Sequence, residues 1–482
     1  MTVRWPPAVD RPLLAAAAAL WLGVVVVRWP WLVVAALSVG LLVAVVEGRP
    51  RAWLVVAALA VGLGSGTLVA ERHSTLEGHG VEPGRVEAVI EANSDVIDGP
   101  YGAVIVATAV DVSIGRIPRL PVIVSHWDRP EVSVGDRYRV SGSFTPGSAR
   151  LRRSMVAGRL TLSTSVELDH RPPIHLEVAN ALRRRVLRVV QPEQSPARAL
   201  LAGFLIGDTS DLPQTVVDSM RRAGLTHFVA VSGSNVALFL LLWWLLLGPL
   251  GLRGWWRTTA GLVGLVIFAA MTRWEPSVIR ASLAAGVLLV GRSMGIPMSS
   301  WATLALAVGG ALTIAGELAS DVGFQLSVLA AIGVLAGSDL MRFRPLLIST
   351  ALSASVSAQA MVSPVLLAVF GSIPVLSPVA NVIAGPLVVA ATSVAGIGVV
   401  VGSDAMVSAA AWFSSSVLAV AEVAAPWPQV EWAEWVAAAV AVGLLLRFAR
   451  SLLIPVLAVS VAIIAWPGSQ RPAELPSAVF LD

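Results

Sequence analysis

Hydrophobic and polar positions divide the chain into four stretches. Residues 13–27, 31–46 and 52–70 are three apolar runs in quick succession, parted only by short turns such as Arg49-Pro50-Arg51. Each is about the length of a bilayer-spanning helix. Residues 71–173 contain no long apolar run. Instead 86–92, 103–112, 122–126, 137–143 and 160–168 alternate apolar with polar and are broken by Gly, Pro, Asn and Asp, which predicts five β-strands. Five short strands in about 100 residues suggest a small closed barrel of the OB-like kind. Residues 174–224 turn helical and amphipathic, with Arg183, Arg184, Arg185 and Arg188 set beside Leu182, Val186, Leu187 and Val189, as in helices that lie on a bilayer surface or pack on other helices. From 225 to 467 the chain is almost continuously apolar, with interruptions that mark about nine further spans, and 468–482 is a polar tail. The predicted architecture is a polytopic α-helical membrane protein of about 12 transmembrane helices with an inserted OB-like β domain.

Composition agrees. Of 482 residues 56% are hydrophobic and 13% charged, where soluble domains carry roughly a quarter charged. A soluble enzyme, a disordered chain and a single-span receptor are excluded. Arg4, Arg11, Arg49 and Arg51 against Arg28 place the N-terminus and second turn on the cytoplasmic side, so three crossings put the β domain outside. No cysteine is present, which removes disulfides and thiolate chemistry. The formal charge of +4 is carried by arginine without any lysine. This suits phosphate recognition by guanidinium forks, and equally an arginine- and alanine-biased genome.

Two groups of residues are candidates for binding. In the β domain both tyrosines of the chain, Tyr101 and Tyr138, lie near Trp127 and Phe144, while the segment before the predicted last strand holds Arg150, Arg152, Arg153 and Arg159. Aromatic faces with a basic loop suit single-stranded nucleic acid, each stacked base contributing about 1–3 kcal/mol. The alternative makes the aromatics barrel core and the arginines a solvated loop. In the apolar half, polar residues stand out because ionised groups in lipid are costly unless paired or wet. His227, then Ser232-Gly233-Ser234-Asn235, implies a broken helix whose short half ends near Ser232 and whose long half starts with Ser234 or Asn235 as N-cap. Half-helix N-termini at membrane depth present N–H groups to anions. Arg280, Gln325, Ser327 and Asn381 complete the set. Such groups line a pathway or act as hydrogen bonds between helices.

Catalysis finds little support. The six histidines, His73, His79, His126, His170, His175 and His227, form no metal motif, and none lies beyond the serine cluster to serve a nucleophile. A lysine-free chain has no Walker motif. No cofactor and no metal are expected.

The run Leu201-Ala202-Gly203-Phe204-Leu205-Ile206-Gly207-Asp208 and the run Gly224-Leu225-Thr226-His227-Phe228-Val229-Ala230-Val231-Ser232-Gly233 resemble the central block of the ComEC competence proteins, with a departure at Ser234-Asn235. Pro276-Ser277-Val278-Ile279-Arg280-Ala281, Asp321 to Ser327 and Phe370 to Pro386 resemble three further blocks of that family in the same order. The resemblance implies a channel in the bacterial cytoplasmic membrane that admits one strand of transforming DNA. It also implies an external DNA-receptor protein and a cytoplasmic helicase-like motor as partners. Many members continue into a metallo-β-lactamase-like nuclease domain whose opening strand Val479-Phe480-Leu481-Asp482 resembles; the sequence stops there and the metal-binding histidine motif is absent, so no nuclease activity is expected of this chain and a separate nuclease would supply it. The alternative function is transport of a small anionic or lipid-linked substrate through the same broken helix.

Overall fold

A computed structural model of the chain describes residues 6–7, 9–27, 50–77, 83–99, 102–112, 119–125, 132–151, 154–163, 166–190, 195–229, 231–337 and 345–431. The described residues form two compact units, one drawn from 1–66, 189–265 and 275–471, the other from 67–188 and 266–274.

The second unit is built on strands β1 (Gly84–Ala92), β2 (Ile97–Gly99), β3 (Gly102–Val112), β4 (Leu120–Ser125), β5 (Arg137–Leu151), β6 (Ser154–Leu162) and β7 (Glu167–His170). Alternation decides its inside: along β1 every second side chain from Val86 to Ala92 is buried, as the two-residue period of a strand requires. β1, β3, β4, β6 and β5 pair in that order and β5 returns to β1, closing a five-stranded barrel in which β4 and β6 are parallel. Its core holds Ile90, Ile105, Val124, Tyr138, Val140, Phe144 and Leu160. Two expectations change. The strand predicted at 160–168 divides into β6, which starts at Ser154, and a separate β7 that pairs with β5. The predicted arginine loop is largely strand: β5 and β6 stay paired as far as Leu151 and Ser154, so Arg150 lies in β5 and Arg159 in β6. Periodicity misplaced this boundary because residues 150–154 hold four polar side chains and Leu151 alone, which gives no repeat to follow.

The helices are α1 (Arg11–Val26), α2 (Pro50–Glu77), α3 (Ile174–Val190), α4 (Pro196–Ile206), α5 (Gln214–Arg222), α6 (Thr226–Val229), α7 (Gly233–Leu247), α8 (Gly254–Met271), α9 (Pro276–Ser293), α10 (Ser300–Ile314), α11 (Val322–Gly337), α12 (Leu346–Phe370), α13 (Ser377–Val401) and α14 (Asp404–Ala424). Among the described residues, six segments are long and apolar enough to cross a bilayer: Leu54–Glu71, Thr226–Leu250, α8, α12, α13 and α14. The shorter apolar helices are α1, α4, α10 and α11. The span expected at 31–46 and the tail from 468 lie outside the described residues.

Helix contacts follow membrane rules, with small residues at close approaches and hydroxyls turned onto backbone carbonyls. A methyl group at Gly62 of α2 would collide with the carbonyl of Leu20 in α1, and one at Gly66 with that of Val24. Ser353 and Ser357 of α12 each donate to the carbonyl four residues earlier at 2.7 Å. Asp10, before α1, accepts from the hydroxyl of Ser299, the N-cap of α10, so these helices start at the same end. Trp21 and Phe324 meet at 5.5 Å between centroids in the core they share with Leu304, Val308 and Leu312.

Charge organises the barrel unit. Asp95, just after β1, accepts two hydrogen bonds from Arg273 (2.9 and 2.5 Å) and pairs with Arg183 of α3 at 3.1 Å. Arg273 also donates to Asn180, whose own amide donates to Val134 O at 2.9 Å. The barrel is thereby bonded to α3 and to the C-terminal end of α8.

Candidate functional site

The predicted helix break is present, with its borders shifted. Gly224 ends the turn after α5 with φ +73°, a left-handed conformation for which glycine is suited. A side chain there would also strike Ser377. The Gly224 carbonyl accepts from His227 Nδ1 at 3.2 Å and from Ser377 Oγ at 3.4 Å. α6 then makes one turn and stops at Val229, earlier than the expected end near Ser232. Ser232 is extended (φ −91°, ψ 166°) and is itself the N-cap of α7, so neither Ser234 nor Asn235 has that place. Its hydroxyl does not cap the helix. It meets Ser234 Oγ at 2.5 Å, leaving the first turn of α7 without a side-chain cap.

Two more helices begin beside this terminus. Ser277, in the first turn of α9, donates to Val231 O at 2.8 Å, and a methyl group at Gly233 would lie 3.9 Å from Nη2 of Arg280. On the other flank, a methyl at Gly323 would lie 3.9 Å from Pro276 Cγ, while Arg280 Nε donates to Ser327 Oγ at 2.7 Å. The pairs 276/323 and 280/327 both advance by four residues, so α9 and α11 run parallel with level N-termini. At α11 the dipole is already matched, because the buried Asp321 accepts from the Phe324 N–H at 2.8 Å. The groups left facing an anion are the starts of α7 and α9, neither of which has a side-chain cap, and Arg280. Among the described residues Arg280 has no carboxylate partner, although it is half-buried in an apolar bundle.

The structure therefore joins Ser232, Ser234, Asn235, Arg280 and Ser327 in one group, and gathers His227 and Asn381 around Gly224 and Ser377 in a second. Asn381 donates to Ser355 at 3.2 Å and Ser377 at 3.4 Å, and among the described residues its buried Oδ1 has no partner. Asn235 ties the first group to α4: its Oδ1 accepts from Ser232 at 3.3 Å and Ser234 at 3.5 Å, and its amide donates to Phe204 O at 2.5 Å. Gln325 joins neither group, its amide donating to Ala319 O at 2.9 Å. Three participants went unselected in the sequence. Ser277 and Ser377 lie inside the family-like blocks, which was a usable signal; Ser355 carried none.

In the barrel, Tyr138 is only 3% exposed and its hydroxyl donates to Asp136 Oδ2 at 3.1 Å, so it belongs to the core and offers no face for stacking. Arg159 is exposed on β6. Tyr101, Trp127, Arg152 and Arg153 lie outside the described residues.

A family model described as "Competence protein" matches residues 204–467, more than half of the chain. The chain belongs to the competence protein family. This competence protein is also similar to ComE operon protein 3 of Bacillus subtilis (strain 168), 22% identical over 207 residues that span 43% of this chain and 27% of that relative. The match thus covers about a quarter of that protein's length. No solved structure matches the chain. Within the matched region the ComEC-like blocks share one structural role: each contains the start of a helix, at α6 and α7, α9, α11 and α13.

Proposed function

We propose that this competence protein is the membrane component through which a single strand of DNA enters the cytoplasm during transformation. The observation that carries this is the half-buried, carboxylate-free Arg280 beside the uncapped start of α7. A fixed cation and a helix dipole end meet at the break of a membrane segment, and both favour phosphate. Neutral hydroxyls from Ser232, Ser234 and Ser327 surround them, so each phosphate would be held weakly enough to move on. Membership of the competence family points to the same substrate.

The barrel would receive the strand on the external side. Its ring order, with one parallel pair, suits the OB-like assignment. Orientation is supported by the arginine counts of the N-terminal turns, Arg4, Arg11, Arg49 and Arg51 against Arg28. Arginine-rich turns face the cytoplasm. In this mechanism the chain breaks no covalent bond. An external receptor delivers DNA, a separate nuclease removes one strand, and a cytoplasmic motor supplies the pull.

Replacing Arg280 with Gln while monitoring protein level in the membrane tests the proposal. Entry of labelled DNA into the cytoplasm should fall by about tenfold or more, the equivalent of roughly 1.4 kcal/mol, with Arg280→Lys retaining an intermediate level. Undiminished entry in the Gln variant would overturn it. Undiminished DNA entry together with lost flux of a small anion would favour the transporter alternative.

A further inference from the structure

We infer that residues 250–257 and 292–297 form one docking surface for anionic phospholipid headgroups, at the end of α8 and α9 opposite to Arg273 and Arg280. After α7 and a 3-10 turn (Gly248–Leu250), Gly251 and Gly254, with φ +59° and +54°, reverse the chain into α8. The turn leaves Trp255 57% and Trp256 77% exposed, next to the exposed Leu250, Arg253 and Arg257. The turn after α9 adds the exposed Arg292, Met294 and Ile296. A hydroxyl pair, Thr258 with Ser293, ties the first turn of α8 to the last turn of α9 and makes the two turns one surface. Arg257 is held in place with its guanidinium 5.1 Å above the Trp244 ring.

Charge complementarity names the occupant. Neither 250–257 nor 291–299 contains an acidic residue, and among the described residues none of the three arginines has a carboxylate partner. Asp10, just before α1, is buried and bonded to Ser299. Two neighbouring indoles at the end of apolar spans sit at headgroup depth, where arginine reaches the phosphate layer. A soluble partner would leave the indoles and Leu250 competing with lipid for the same position, which argues for the leaflet itself.

Native mass spectrometry of the full chain, released from nanodiscs of phosphatidylcholine with phosphatidylglycerol, tests this. The wild type should retain phosphatidylglycerol preferentially. Each arginine lost in Arg253→Gln, Arg292→Gln and the triple variant with Arg257→Gln should reduce that preference roughly fivefold. The single variants keep the test decisive if the triple variant does not fold. Equal enrichment in wild type and single variants would overturn the inference. So would displacement of the retained lipid by a single-stranded oligonucleotide, which would assign the surface to nucleic acid.

Discussion

The two units solve the same problem, polar groups away from water, by different means. In the barrel unit the buried polar atoms are joined by charge: Asp95 holds Arg183 and Arg273, and Tyr138 holds Asp136. In the helical unit hydroxyls turn back onto their own helix, as along Ser349, Ser353 and Ser357, and backbones approach through glycine, as at Gly62. The difference follows from the solvent. A barrel folds from water, where a charge has an alternative home and an ion pair adds specificity at little net gain. In lipid there is no such alternative, so polar atoms bond back onto their own helix or across to a neighbouring one. Arg198 of α4 meets Asp404 of α14 at 2.8 Å and so keeps the barrel's habit inside the helical unit, whereas Arg280 has, among the described residues, no carboxylate and marks a site.

The strongest way to break the comparison is Gly62→Leu. The new side chain must displace the backbone of α1, and a loss of ~3 kcal/mol or more is expected. Thermal unfolding in detergent and the yield of folded protein would report it, and an unchanged midpoint would mean that α1 and α2 are not in close contact. Next comes Asp95→Ala, which removes a carboxylate from Arg183, whose side chain is only 7% exposed. A cost of about 2–3 kcal/mol is expected, below the full value for a buried pair because Asp95 is 30% exposed. Hydrogen exchange of barrel amides would report it. Replacing Arg183, Arg273 and Asp95 together by apolar residues should recover part of the loss.

Asp136→Asn sharpens the contrast through pH. Burial raises the Asp136 carboxyl above its ordinary value, outweighing the hydrogen bond from Tyr138. A raised carboxyl means the folded state holds its proton more tightly than the unfolded chain does. Its contribution is therefore fully present below the ordinary aspartate range, near pH 4, and is lost as pH rises through the raised folded value. The Asn variant should exchange barrel amides more slowly than wild type at pH 7, with the gap closing near pH 4. A gap independent of pH would assign the effect to packing. The smallest expected effect is Asp169→Asn. The half-buried Asp169, whose partners His170 and Arg139 are exposed, is lowered by its bond to His170 and by Arg139, so its contribution exists above the ordinary value and fades as pH falls through the lowered one. Solvent and salt screen a group with such exposed partners, and no stability change should be detectable in 0.5 M salt.

Much of the fold was legible because it rests on local periodicity. Two-residue alternation at Val86 to Ala92 announces a strand, the short apolar run Val122 to Val124 another, and long runs such as Ser377 to Val401 announce membrane helices, whatever else the chain does. The break after α6 was legible because Gly and Ser interrupt an apolar run. The strand border near Ser154 was not, since a lone Leu151 among polar residues sets no phase to read. Nor could polarity alone separate Arg280 from Gln325, because both are polar residues in apolar surroundings.

Sequence alone therefore determined the class of each segment, its solvent and the positions at which greasy runs are interrupted, since these depend on neighbours a few residues apart. Tertiary structure decided which interruptions meet. Gln325 finds a carbonyl of its own neighbourhood and falls silent, whereas Asn235 accepts from Ser232 and Ser234; Arg280, brought against the open start of α7 by the parallel packing of α9 and α11, finds a hydroxyl but, among the described residues, no counter-charge. That outcome depends on distances across chain separations of about 50 residues, which only packing of the helices sets.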